Sequence, residues 1–141
     1  MKAYHIATAA ASVLALAALV AVAAAVERLV APVRQPLGAP PTALAASPVV
    51  LRSPSGDVVH GWFARGAPGQ GAVLLLHGLR GDRRQMLGRA GFLHADGRSV
   101  LLIDLPAHGR SDGARITFGH REAEGVRAAM RFLRDELPAE R

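Results

Sequence analysis

The sequence predicts an α/β fold with a largely parallel sheet, preceded by an apolar N-terminal helix. Three observations predict it. Residues 6–26 contain no charged side chain. Residues 72–76 and 100–103 are short runs that are apolar on both faces, as central parallel strands are. A segment of helical periodicity follows each of these two runs. The predicted order after residue 46 is β-β-β-α-β-α.

The first 26 residues predict a transmembrane or signal helix. A helix over the apolar residues 6–26 would be about 31 Å long, which matches a hydrocarbon core of about 30 Å. Two alternatives stay open: a single-pass anchor that remains in the membrane, and a secretory signal cleaved after Ala25. Length favours the anchor, because the apolar region of a signal peptide is usually about 7–15 residues long. We expect the remainder of the chain to be exported.

Residues 27–46 are predicted to form a linker, and the globular domain is predicted over 47–141. Four prolines interrupt any helix in the linker; they are Pro32, Pro36, Pro40 and Pro41. The chain has no cysteine, which excludes disulfides. Its net charge of +6 comes from scattered arginines, so nucleic-acid binding is not predicted. No spacing of His, Asp or Glu suits a metal, and no phosphate loop is present, so we predict neither metal nor cofactor.

The predicted domain opens with a hairpin. Residues 49–52 and 58–64 are its strands, because turn residues separate them. A helix is predicted over 82–95 with Asp82 as its N-cap. Its apolar residues recur at helical spacing; they are Met86, Leu87, Ala90 and Leu93.

The last predicted helix begins near Thr117 and stops at Pro138, which cannot continue a helix. Its spacing predicts one core-facing stripe, made of Val126, Met130, Leu133 and Leu137.

Two loops carry the functional signal. The run LHGL (76–79) ends one apolar strand, and the run DLPAHGRS (104–111) ends the next, with a helix predicted between them. This pair of motifs, in this order, resembles the α/β-hydrolase superfamily, and the opening hairpin is most similar to its serine esterase, lipase and peptidase-like branches. The resemblance covers residues 47–141, which correspond to the first half of that fold. It therefore implies a partial α/β-hydrolase fold.

The resemblance implies half of an oxyanion hole in the first motif. In such enzymes, backbone N–H groups stabilise the charge of the transition state, and one of the two donors comes from this loop. That donor would be the amide of Leu79. Gly78 would let the backbone approach closely, and His77 would orient the loop. An ordinary strand-to-helix turn is the alternative interpretation of His77 and Gly78.

Ser111 lies in a literal G-x-S-x-G match over residues 109–113. A nucleophile elbow places its serine directly between a strand and a helix, whereas this strand ends near Asp104 and a proline intervenes. We therefore predict that His108 and Ser111 are structural and tie down backbone groups of the turn. Asp104 is predicted to be a cap or turn acceptor rather than a triad acid.

The resemblance places the nucleophile, acid and base beyond residue 141. We therefore predict the N-terminal portion of a membrane-anchored or exported serine hydrolase that acts on ester, thioester or amide bonds in a small molecule or peptide. The 141-residue chain itself is expected to be inactive. The alternative is a non-catalytic, membrane-tethered α/β remnant or binding module. Because the strand 72–76 would lack a neighbour in the sheet, we expect residues 47–141 to aggregate when isolated.

Overall fold

The computed structural model describes residues 2–138, which divide after Ala31 into two compact units. The first unit is one helix, α1 (Lys2–Val30), with almost all of its described side chains exposed. Its segment Tyr4–Val30 contains an 18-residue window with a mean hydropathy of 2.5, so it is long and apolar enough to span a membrane. An N-terminal signal sequence meets the same criterion. The helix ends four residues beyond the predicted boundary at residue 26.

The second unit contains a four-stranded sheet with the spatial order β2-β3-β5-β4. Its strands are β2 (Ser47–Arg52), β3 (Val58–Ala64), β4 (Ala72–Leu76) and β5 (Ser99–Ile103). The antiparallel pairing of β2 with β3 confirms the predicted hairpin. β3 also runs antiparallel to β5, and β4 and β5 form the one parallel pair among residues 2–138. The α/β class is confirmed, with a sheet that is mixed in this part of the chain.

The two apolar strands β4 and β5 have similar compositions but different surroundings. Every residue of β5 is buried: β3 and β4 pair with its two edges, and residues of the last helix and of the helix at 87–95 pack on its two faces. In the described part of the chain β4 pairs only with β5, and Leu76 is 40% exposed. The predicted burial on both faces therefore holds for β5, whereas β4 has an open edge.

One helix covers each face of the sheet. α2 (Leu87–Ala95) follows a short 3₁₀ helix (Arg83–Met86), and the Asp82 carboxylate caps that helix by accepting the Arg84 amide at 2.9 Å. The predicted apolar face of α2 is confirmed, because its residues pack in a cluster with Val100 and Leu102 of β5. The other cluster contains Leu101, Ile103 and residues of the last helix.

The last helix, α3 (His120–Glu136), differs from its prediction in two respects. It begins at His120 rather than near Thr117. Its most deeply buried residues are small, and Met130, predicted in the core, is 42% exposed. The small buried residues are Gly125, Ala128 and Ala129. They are needed because the helix approaches closely: a Cβ on Gly125 would lie 2.8 Å from the Pro106 ring.

Residues 27–46 do not form a free linker. Residues 27–30 belong to α1, and the second compact unit begins at Pro32. β1 (Val33–Arg34) pairs in parallel with β6 (His108–Gly109). Leu37 and Leu44 are buried, and Leu44 joins the cluster beneath α2. We call residues 32–44 the strap. Prolines prevent a long helix in the strap, which is extended apart from one 3₁₀ turn at Thr42–Leu44, and its leucines can pack.

Candidate active site

Two loops meet at the carboxyl ends of the parallel strands β4 and β5. The first loop comprises residues 77–82, and the second loop comprises residues 104–113. They start side by side, because the last residues of their strands, Leu76 and Ile103, are paired in the sheet. The ring centroids of His77 and His108, one from each loop, lie 4.9 Å apart.

His77 fastens the first loop to the second. Its Nδ1 lies 2.8 Å from the carbonyl oxygen of Gly78, and its Nε2 accepts the amide of Leu105 at 3.0 Å. A carbonyl oxygen can only accept, so Nδ1 carries the proton. Burial lowers the pKa of His77, which favours this neutral ring. Both ring nitrogens are engaged, as expected for a residue that orients the loop.

His108 makes the reciprocal connection from the second loop to the first. Its Nδ1 donates to the carbonyl oxygen of Pro106 at 2.9 Å, and its Nε2 accepts the amide of Arg80 at 3.2 Å. The ring is almost fully buried. The prediction that His108 ties down backbone groups is confirmed. It holds two of them, the Arg80 amide in the first loop and the Pro106 carbonyl oxygen in its own turn.

The amide of Leu79 differs in its hydrogen bonding from the amides of Gly78 and Arg80. Gly78 donates its N–H to Gln85 Oε1 at 3.2 Å, and Arg80 donates its own to His108. Between them, the Leu79 N–H donates to no acceptor within residues 2–138. A free amide held between two fixed amides is the arrangement that an oxyanion donor requires. The assignment of that role to Leu79 stays a prediction.

Gly78 is not crowded by the described part of the chain. A Cβ at this position would meet only Gln85 Oε1, at 3.9 Å. Packing among residues 2–138 therefore does not require glycine here. The predicted reason for Gly78, close approach of a bound group, remains untested.

Ser111 is structural, as predicted. Its hydroxyl oxygen accepts the amide of His60 at 2.9 Å, and the hydroxyl donates to the carbonyl oxygen of Asp104 at 2.6 Å. The residue has no exposed surface. A nucleophile on an elbow must face the substrate, whereas this hydroxyl joins β3 to the second loop. The G-x-S-x-G match is therefore coincidental.

Asp104 lies at the centre of a buried ionic cluster. One carboxylate oxygen accepts the Arg83 amide and the other accepts the Arg110 amide, each at 2.9 Å. The Arg83 guanidinium lies 3.7 Å from this carboxylate and 4.5 Å from the centroid of the Trp62 ring. The prediction of Asp104 as a turn acceptor is confirmed. Arg83 was missed, because nothing in the sequence distinguishes it from its exposed neighbour Arg84.

A cavity of about 300 Å³ opens beside the first loop. Its walls include Leu79, Leu105, His108, Ile116, Phe118 and Glu122. A larger cavity of about 670 Å³ lies elsewhere, and charged residues line it. Those charges are already paired, Arg34 with Asp112 at 3.9 Å and Arg121 with Asp57 at 2.8 Å. The smaller cavity is the candidate site, because it contains Leu79.

Solved structures with this arrangement are α/β hydrolases. An esterase of Pyrococcus furiosus, Pf2001, superimposes with a TM-score of 0.69 at 27% sequence identity. The match covers 79% of this chain and 44% of the esterase, so the chain spans less than half of that protein. An α/β serine hydrolase without lid from Xanthomonas campestris has a TM-score of 0.60 at 19% identity, and it shares the fold alone.

A third similar structure, an α/β serine hydrolase homologue from Coxiella burnetii, has a TM-score of 0.57 at 14% identity. Its match covers 75% of this chain and 50% of the other. No protein-family model and no curated protein sequence matches the chain. The second unit thus has a partial α/β-hydrolase fold. Within that class, its structural neighbours are serine hydrolases and esterases.

Proposed function

We propose that the chain is the N-terminal part of a serine hydrolase that cleaves ester, thioester or amide bonds in a small molecule or peptide. The observation that carries the proposal is the free amide of Leu79, in a loop that two buried histidines hold at the ends of β4 and β5. In this proposal the nucleophile, acid and base follow residue 141. The chain as given contributes binding groups and has no activity of its own.

The proposed chemistry is stabilisation of an oxyanion. Attack on a carbonyl carbon moves negative charge onto the carbonyl oxygen, and a backbone N–H fixed beforehand stabilises that charge by about 3 kcal/mol in measured cases. His77 and His108 fix the loop on both sides of Leu79. The second donor would come from the residue after the nucleophile.

The proposal places the protein at a membrane or outside the cell. It is supported by α1, whose length and apolar composition suit a single-pass anchor through residues 6–26. Cleavage near Ala25 would instead release a secreted form. Labelling of the chain in isolated membranes and in the medium distinguishes the two forms.

The test begins with the DNA that follows codon 141. We expect an in-frame β-strand followed by G-x-S-x-G, and a longer product that a fluorophosphonate probe labels. Changing the serine of that new motif to alanine should abolish labelling, whereas the matched change Ser111→Ala should not. A stop codon directly after codon 141 would contradict the proposal.

That contrary result would favour a second candidate, a tethered binding module. The observation that favours it is the open edge of β4, whose backbone groups lack a neighbouring strand among residues 2–138. Such an edge can accept a strand from a partner chain. Protection of the β4 amides from hydrogen exchange on adding a partner would support this module.

A further inference from the structure

Two large apolar side chains stand exposed at one cavity. Leu79 and Phe118 line the 300 Å³ cavity beside the first loop, and they are 55% and 63% exposed. Leu105 and Ile116 continue the same wall. Exposed apolar side chains are ordinary when they are scattered, but a group that lines one concave surface indicates a binding site.

Phe118 is held in a backbone conformation that aromatic residues avoid. Its φ is +51°, and that of the following Gly119 is +114°. Positive φ at a bulky residue is a conformational outlier, and such outliers persist where the surrounding structure enforces them. The strain is unnecessary for starting α3, because a small residue at position 118 would allow the same turn with less strain.

Glu122 enforces this conformation. One of its carboxylate oxygens accepts the Thr117 amide at 2.9 Å. The other accepts the Thr117 hydroxyl at 2.6 Å and the Gly119 amide at 2.8 Å. The carboxylate therefore binds the residues on both sides of Phe118. The turn therefore fixes the backbone of Phe118 at the cavity.

The polar side chains of the cavity are already satisfied. The Glu122 carboxylate has the three hydrogen bonds of the turn, and both ring nitrogens of His108 are engaged. Neither group is available to bind a charged ligand. The amide of Leu79 remains as a donor beside apolar walls. Such a site fits a neutral acceptor, such as a carbonyl oxygen, that carries an apolar chain.

We propose that this cavity binds the apolar chain of an uncharged carbonyl compound, and that Phe118 is the residue that determines the accepted chain length. The inference rests on the proposed function, because it names the substrate class of the same site. A volume of about 300 Å³ equals about ten water volumes of about 30 Å³ each. It therefore has room for an acyl part of up to about ten heavy atoms.

The test uses the full chain in lipid nanodiscs and 2-heptanone, a neutral ketone that cannot be hydrolysed. We expect saturable shifts of the Leu79 and Gly119 amide resonances. Phe118→Ala should weaken ketone binding about tenfold, because it removes one apolar wall. The matched control Phe92→Ala removes an exposed ring of α2 outside the cavity and should leave binding unchanged. Heptanoate, whose negative charge the Glu122 carboxylate repels, should not bind.

Three results would overturn the inference: no ketone binding, equal binding by the wild type and Phe118→Ala, or equal binding of heptanoate. Failure of the proposed function is distinguishable from these. It would appear as absence of fluorophosphonate labelling in the longer product, while ketone binding by the cavity stayed sensitive to Phe118.

Discussion

The first and second loops occupy equivalent positions at the ends of neighbouring strands, yet their polar groups are used differently. The second loop contains the residue types of catalysis, and Asp104, His108 and Ser111 are all buried and hydrogen-bonded within the fold. Among residues 2–138, the first loop leaves the Leu79 amide without an acceptor. In these two loops, a polar group is therefore available for chemistry when its hydrogen bonds are unmade, whatever its residue type. Changes in the second loop should therefore destabilise the fold more than changes in the first loop.

The largest effect should come from Asp104→Asn in the second loop. The change leaves the buried Arg83 guanidinium without its counter-charge, and breaking such a buried pair costs about 3–5 kcal/mol. Urea unfolding of the chain measures the loss. The control Asp96→Asn removes an exposed partner of Arg98 and should change stability by less than about 1 kcal/mol. Equal effects of both changes would contradict the described cluster.

Matched glycine substitutions compare the two loops directly. At Gly109 the φ is +51°, and a Cβ would collide with the Asp104 carboxylate, so Gly109→Ala should cost about 2–4 kcal/mol. At Gly78 the space is open, so Gly78→Ala should cost less than about 1 kcal/mol. Thermal unfolding of both variants measures the two losses of stability. A more destabilising Gly78→Ala would show that the first loop is the more tightly packed.

A third change separates structure from chemistry at Ser111. Ser111→Ala leaves the His60 amide and the Asp104 carbonyl without their partner, which should cost about 2–3 kcal/mol in urea unfolding. Ser55→Ala, at an exposed turn, should stay within about 0.5 kcal/mol. If Ser111→Ala kept full stability in the longer product but abolished its esterase activity, the nucleophile would be Ser111 after all.

The smallest effect concerns pH and His77. Because burial lowers the folded pKa below the ordinary 6.5, the folded state binds fewer protons than the unfolded state. The stability that neutral His77 contributes is complete above pH 6.5 and is lost as pH falls from 6.5 to the folded pKa. The free energy of unfolding changes by at most about 1.4 kcal/mol per pH unit. Urea unfolding between pH 5 and 7.5 should show a shallower decline for His77→Gln.

The control for that experiment is His120→Gln, which changes an exposed histidine at the start of α3. It should leave the decline as steep as in the wild type. A decline unaffected by His77→Gln would mean that protonation of His77 is not linked to folding.

Much of the fold could be predicted because apolar runs dominate it. The strands β4 and β5 and the face of α2 follow from such runs. The face of α3 was predicted in part: Leu133 and Leu137 are in the core, but Met130 is exposed. The spacing of large residues conceals that Gly125 must approach Pro106. The strap was predicted to be a linker, because its prolines indicate an extended chain but not whether that chain packs against the domain.

Less of the candidate site could be predicted. Leu79 came from a family resemblance, and its free amide depends on two tertiary partners of its neighbours, Gln85 and His108. One signal was overlooked. Glu122 lies three residues after the N-cap Gly119, where a glutamate can accept the N-cap amide, and this half of a capping box predicts a fixed turn before α3.

The strap also has a mechanical consequence. Val33 and Gln35 donate backbone hydrogen bonds to Ala107 and Gly109, and the Arg34 guanidinium donates to Ser111 and Gly113. If α1 is anchored as proposed, a pull along the chain from α1 would reach the second loop through residues 33–35 before it reached β2. Trimming at Ala25 preserves every one of these bonds, whereas trimming at residue 46 removes them all. A form cleaved at Ala25 would therefore keep the loop contacts of the uncleaved chain, whereas a form cleaved at residue 46 would lose them.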